Sequence, residues 1–386
     1  MVETVSIVVS SGVQEAMQPT VQPTTGRRTA DRMPAIPALD GIRAIAVLIV
    51  IASHAGLGSI VPGGFGVTLF FFLSGYLITT LLRVEWNAHG AISLREFYVR
   101  RTLRIMPPLY ITMAVVAGAI FSGLLAAQIT GEALVADALF VTNYMPNLSG
   151  SLPMPLWSLD VEEHFYLVFP TLFVGVLARM APRRAAMTCL AICAGVLALR
   201  LTLSLSLSNY TGLYYWTHTR IDSILFGCCL ALWRNPAIDR DPWRPRAWHV
   251  AAALSVLALC FVVRDPFFRE TARYSLQGGA LFVLFAFAVQ AGGVTARVLD
   301  SPSLRVVALL SYTLYLVHMP ALMLAEQIGL PAHALFGVAA SFAYAWAMYV
   351  LVERPLGRLR KRLHARAGPT SRERPVPIGE GAATAG

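Results

Sequence analysis

The chain has 386 residues, of which 56% are hydrophobic and only 13% charged, and its mean hydropathy is +0.61. Those values exclude a soluble globular domain and call for a bilayer. The net charge of +10 is not that of a nucleic-acid binder, because the basic residues stand in short clusters between apolar runs, with no basic face interleaved with exposed aromatics.

Residues 1–35 contain acidic Glu3, polar and Pro-containing stretches and one brief apolar run. They lack the basic start and longer apolar core of a signal peptide and read as a disordered cytoplasmic tail. A spanning helix needs about 20 mostly apolar residues. Spans are expected at roughly 38–56, 65–82, 107–128, 157–178, 184–206, 218–233, 247–263, 274–291, 305–327 and 332–352. The fold class is therefore all-α, a polytopic bundle of about ten transmembrane helices forming one domain over residues 36–355. The short apolar stretch 134–144 reads as an uncounted half-helix. Residues 356–386, rich in Arg, Pro, Gly and Ala, cannot bury a core and read as a basic, disordered cytoplasmic extension.

With the N-terminus inside, one side collects Arg27, Arg28 and Arg32, then Arg95 to Arg104, Arg179 to Arg184, Arg234 to Arg246, Arg297, and Arg354 to Arg366. Arg264, Arg269 and Arg273 are the exception. An even number of spans with both termini cytoplasmic satisfies the positive-inside rule, in a cell (inner or plasma) membrane. The five cysteines, Cys189, Cys193, Cys228, Cys229 and Cys260, lie in apolar runs without zinc-ligand or extracellular pairing and are expected to pack. No internal repeat of the transporter kind is visible.

Ionisable residues inside such helices cost a few kcal/mol each and are functional candidates by default. The first span holds Asp40, Arg43 and His54. Arg43 and His54, eleven positions apart, return to within about 20° of one face at about 16 Å along the axis. Asp40 falls on that face too. A His near neutrality where water is scarce suits a general base that deprotonates an alcohol. Arg101 and Arg104, in a cytoplasmic loop before the third span, would lie together on a short helix and can fork onto phosphate oxygens, although lipid anchoring explains them equally well.

The fourth span opens with Asp160, Glu162, Glu163 and His164 within five positions. A helix start accounts for Asp160, but one of the two glutamates must turn into the bundle. Arg220 and Asp222 precede an apolar run and do not face each other on a helix, so each must answer to another element. Tyr312, Tyr315 and His318, spaced by three, form a polar stripe that lines a cavity or ties helices together. Glu163, Arg220, Asp222, Tyr312 and His318 are candidates for lining the substrate site. Arg297, Glu353 and Arg354 read as interfacial. The eight histidines show no ligand spacing, so no metal is expected.

Several segments together resemble the bacterial membrane acyltransferase family three, which includes O-antigen and peptidoglycan O-acetylases and macrolide sugar acylases. They are Leu39-Asp40-Gly41-Ile42-Arg43 leading to His54, the run Gly66 to Ile78, Arg101-Thr102-Leu103-Arg104, Leu156-Trp157-Ser158-Leu159 with Glu162 and Tyr166, and the run Ser311 to His318. They follow in family order across residues 36 to 355.

The resemblance implies acyl transfer from acyl-CoA, a co-substrate rather than a bound cofactor, to a hydroxyl that is usually on a sugar. It matches His54 and Arg43 to the family's essential first-helix pair and Arg101 and Arg104 to its cytoplasmic Arg pair on the CoA side. Expected partners are the acyl-CoA donor, a hydroxyl-bearing glycan, glycolipid or glycosylated small molecule such as a macrolide, and the bilayer. The family's fused esterase-like domain is not found in this sequence, so a second transfer step is not expected. His54 is the expected base, oriented by Asp40 or Glu162, with a Ser74 or Ser158 nucleophile as the mechanistic alternative. The competing class is a transporter that uses the same buried His, Arg and acids for proton relay or substrate binding; a sensory or structural role is a third.

Overall fold

The computed structural model describes residues 36–145, 148–207 and 211–359. The expectation for residues 1–35, and for the tail beyond residue 359, lies outside these. All regular structure among the described residues is helical.

Helix α1, Pro37–Ala52, runs on into a π-helical turn, Ser53–Leu57, before α2, Gly63–His89. Helix α3 spans Leu94–Phe121, and a short α4, Gly131–Ala138, overlaps only the first part of the 134–144 stretch read as a half-helix. Then come α5, Leu156–Gly175, α6, Pro182–Ser206, and α7, Thr217–Leu232. Helix α8 is Ala247–Val262, α9 is Pro266–Glu270 and α10 is Ala272–Gln290. The last described helices are α11, Gly293–Leu299, α12, Pro302–Gln327, and α13, His333–Met348, which continues through a second π turn and stays helical to Leu359. The last helix thus extends four residues into the segment assigned to the tail.

Each of the ten expected spans falls on a helix. Among the described residues, eight helical segments are long and apolar enough to cross a membrane. Helices α7 and α8 have 16 residues each, and α7 carries the fully buried Arg220 and Asp222 in its first turns. The chain is a multi-pass membrane protein.

One boundary differs in a way that matters. The third span was expected to begin at residue 107, with Arg101 and Arg104 in a cytoplasmic loop before it. The helix instead starts at Leu94, where the Ser93 hydroxyl accepts the Glu96 amide and Glu96 meets the N-terminal dipole. Pro107 and Pro108 lie inside it. Both arginines are therefore held on a continuous helix.

Helices α2 and α7 form the most closely packed pair. A Cβ on Gly75 would overlap the carbonyl oxygen of Ile224, and one on Gly227 would overlap that of Phe72. Lipid supplies no hydrophobic drive for helix association, so backbone contact through small residues, with its dense dispersion contacts, takes that part. Phe71, Ile78, Leu82, Ile224, Cys228 and Leu232 fill the flanks. All five cysteines are buried and unpaired, as expected of packing residues.

The bundle has two ends. The loop after α7 is tied to the far end of α2, where the Arg83 guanidinium holds the Asp239 carboxylate, and Gly41 near the start of α1 abuts Leu299 of α11. At the opposite end Arg264 donates to the Ser59 carbonyl, and the Gln327 side chain accepts from the Ala126 amide. The first end carries nearly every basic cluster of the described chain.

Candidate active site

A cavity of about 100 Å³ opens between α1, α2, α3, α5 and α12. Its lining changes character along its length. Arg43, Arg101 and Arg104 stand toward the basic end, Ser74, Glu162 and Tyr166 follow, and Ser158 and Tyr315 lie deeper.

At the basic end Arg43 donates to Asp40 at 2.9 Å, one helical turn away, with Asp40 half-exposed and Arg43 largely buried. The Arg101 guanidinium stacks over the Tyr166 ring at 3.7 Å. Its Nε is buried without a hydrogen-bond partner among the described residues. Glu162 and Glu163 both lie within the field of the Arg101 charge.

In the middle, Ser74, Glu162 and Tyr166 form a closed triangle. The Ser74 hydroxyl donates to Glu162 Oε1 at 3.0 Å, and the Tyr166 hydroxyl lies 2.8 Å from Oε2 and 2.9 Å from Ser74 Oγ. Glu162 is thus the glutamate that turns inward. Deeper still, Ser158 donates to the Pro155 carbonyl, which leaves the Tyr315 hydroxyl to donate to Ser158 Oγ at 2.5 Å. Tyr312 donates to the Ile105 carbonyl of α3 at 2.9 Å.

Beyond Tyr315 comes His318, with ring centroids 5.9 Å apart. His318 is fully buried, and its Nδ1 lies 2.8 Å from the Tyr315 carbonyl and 3.2 Å from that of Leu314. Carbonyls only accept, so Nδ1 carries the proton and Nε2 of the neutral ring is an acceptor. His54 Nδ1 sits 3.0 Å from that Nε2 and must be the donor. In the neutral form of His54 the remaining nitrogen, Nε2, then carries a lone pair, on a residue that stays accessible at the π turn. The fold therefore prescribes the tautomer of both rings through backbone carbonyls.

This arrangement corrects the expected orienting group. Asp40 reaches Arg43, and Glu162 reaches Ser74 and Tyr166. The ring that His54 touches is His318, supplied from α12 and 264 positions away. Helical rise is the reason: Asp40 and Arg43 stand about 16 Å or more along α1 from His54. Neither candidate serine is bonded to a histidine, so neither has the partner that activates a Ser nucleophile.

Arg220 and Asp222 do answer to other elements. Asp222 is gripped by Arg200 of α6 through both terminal guanidinium nitrogens, at 2.9 and 2.7 Å, with both side chains fully buried. Arg200 also donates to the carbonyls of Thr219 and Thr271 and to Ser275 Oγ. Sequence reasoning missed Arg200. The available signal was a guanidinium in the middle of an apolar run, which needs a buried acid. Arg220 lies 3.8 Å over Tyr274, with Phe71, Trp157 and Tyr214 within 5.9 Å, and donates to Thr68 Oγ1 at 3.3 Å. It is held mainly by ring faces.

Residues 36–352 match the family-three acyltransferase model, described as an acyltransferase domain. The chain belongs to this family. It is similar to the peptidoglycan O-acetyltransferase OatA of Listeria monocytogenes, 31% identical over 351 residues that cover 83% of this chain and 56% of that protein. It is also similar to the O-acetyltransferase OatA of Staphylococcus aureus, 31% identical over 304 residues, 74% of this chain and 50% of that one. The chain thus spans about half the length of these relatives. No solved structure gives a significant match.

Proposed function

We propose that this membrane acyltransferase moves an acetyl or other short acyl group from acyl-CoA to a hydroxyl of a sugar-containing acceptor, with His54 as the general base. The observation that carries the reading is the proton chain from the Tyr315 carbonyl through His318 to His54, which leaves His54 Nε2 unprotonated. The acceptor hydroxyl gives its proton to Nε2 as its oxygen attacks the thioester carbonyl. The carbon–sulfur bond then breaks, and the CoA thiolate leaves with the proton that His54 returns. The imidazolium formed in between is stabilised by its Nδ1–H bond to His318.

Arg43, Arg101 and Arg104 hold the phosphates of the donor. This agrees with the positive-inside orientation, in which the basic end and both termini are cytoplasmic in the cell membrane, where acyl-CoA is made. Asp40 orients Arg43, and Glu162 fixes Ser74 and Tyr166 along the path of the donor. Glu163 and Tyr312 shape the same passage. Arg220 and Asp222 support the substrate side from within the bundle. The sugar acceptor is suggested by the relatives, whose names specify O-acetylation and, for the Listeria protein, peptidoglycan; a surface glycan, glycolipid or macrolide sugar fits the same chemistry.

The test is transfer of label from acetyl-CoA in membranes of an expressing host, with a panel of glycan and macrolide acceptors. Wild type moves label to an acceptor and His54→Ala, at matched protein level, does not. Undiminished transfer by His54→Ala would overturn the base assignment, and no transfer from any acyl-CoA to any acceptor would overturn the activity.

A further inference from the structure

The loop between α7 and α8 is built more firmly than a connection requires. Asn235 is fully buried at its root. Its carbonyl accepts from the Tyr76 hydroxyl at 2.8 Å and from the Ala237 amide at 2.9 Å, while its amide nitrogen donates to Thr80 Oγ1 at 2.9 Å. Asp239 accepts the Asn235 amide at 2.6 Å and is gripped by both terminal nitrogens of Arg83. Further along, Arg234 donates from one nitrogen to both oxygens of Asp241 at 2.7 Å. None of these residues lines the acyl-transfer cavity.

What the network supports is a recess of about 540 Å³, walled by Arg234, Arg240, Arg244, Arg246, Trp243 and Trp248, whose one acid, Asp241, is held by Arg234. Among the described residues no acid pairs with Arg240, Arg244 or Arg246, and all three are exposed. The floor is aromatic: Trp243 packs against Trp233 and Phe282, and Trp248 stacks on His249 at 3.6 Å. Three unneutralised guanidiniums around one concavity suit an anion with several oxygens.

Position selects the source of that anion. Arg246 is the N-cap of α8, and Trp248, 62% exposed, is in its first turn. The same helix then turns Leu254, Leu259 and Val262 outward as an apolar surface. A tryptophan and a basic cluster at the mouth of such a helix stand at headgroup level, where the acyl chains of a lipid continue along the apolar face. We propose that this recess binds the phosphate headgroup of an anionic membrane lipid. The site is separate from acyl transfer, and its test does not depend on that activity.

The experiment uses the full chain in vesicles of phosphatidylcholine alone and of phosphatidylcholine containing phosphatidylglycerol, comparing thermal unfolding of wild type and Arg240→Gln/Arg244→Gln. Expected is a midpoint several degrees higher for wild type with phosphatidylglycerol. The variant should match wild type in phosphatidylcholine and lose at least half of the phosphatidylglycerol increment. An equal increment in both proteins would overturn the site. Inorganic pyrophosphate added to phosphatidylcholine vesicles is expected to change neither midpoint; an increment for wild type as large as that from phosphatidylglycerol would overturn the lipid assignment in favour of a soluble anion.

Discussion

His54 Nδ1 and His318 Nε2 lie 3.0 Å apart, joining the far end of the first helix to the middle of α12. Two neutral rings so placed can share one proton along that line but cannot both present one. In its neutral form the outer ring therefore presents Nε2 as its unprotonated nitrogen. Replacing His54 by Ala is expected to lower kcat on the order of 10²- to 10⁴-fold, the usual contribution of a positioned base. His318→Ala should lower kcat less, because it frees the tautomer of His54 without removing its base. The double variant should be no slower than His54→Ala alone, since the two rings act as a unit. Steady-state kinetics on the four proteins checks this; additive losses would show that His318 acts elsewhere.

Arg101→Ala and Arg104→Ala are expected to raise KM for acyl-CoA about tenfold each, the scale of a lost charged hydrogen bond, and to change kcat little. Arg101→Lys should recover only part of the loss at Arg101, because an ammonium keeps the charge but not the flat stack on Tyr166. Saturation curves in acyl-CoA measure this. A kcat defect with unchanged KM would place Arg101 in the chemical step.

The Arg200–Asp222 pair carries a different expectation. Arg200→Met leaves a fully buried carboxylate uncompensated and should destabilise the protein by about 3–5 kcal/mol. Adding Asp222→Leu should restore much of that, because the charge requiring a partner is gone. Thermal unfolding in one detergent compares the three proteins. A double variant as unstable as Arg200→Met would mean that Thr219, Thr271 and Ser275, rather than the charge on Asp222, set the stability.

Gly75→Ala and Gly227→Ala should each prevent recovery of a monodisperse protein, because the added methyl meets backbone rather than a side chain that could turn away. Gly118→Ala, where a Cβ meets nothing within 4 Å, is the matched control and should behave as wild type. Size-exclusion profiles after extraction decide between them.

Much of the fold was legible because hydropathy alone locates long apolar helices, and each expected span has its helix. The sequence also singled out His54, Arg43 and the inward glutamate, since charge in an apolar run is conspicuous. It did not show the partners. His318 stood out only as part of a stripe with Tyr312 and Tyr315, and nothing local to α1 says that its ring meets His54. Arg200 escaped for the same reason: its meaning lies in Asp222, on another helix. The helix start at Ser93 was hidden by Pro107 and Pro108, which outside a membrane would end the segment, whereas neighbouring helices can satisfy the freed backbone groups.

The contact through Gly75 and Gly227 makes α2 and α7 a single stiff plate, and neither helix contains an interior proline. Of the other helices that line the cavity, α3, α5 and α12 each carry an interior proline, at Pro107 and Pro108, at Pro170 and at Pro320. Proline removes a ladder bond and creates a point where a helix bends. The cavity is thus asymmetric in compliance, bordered by an anvil and by three jointed staves. A bulkier guest is therefore expected to be met by bending of the staves, with Ser74 on the anvil keeping its place.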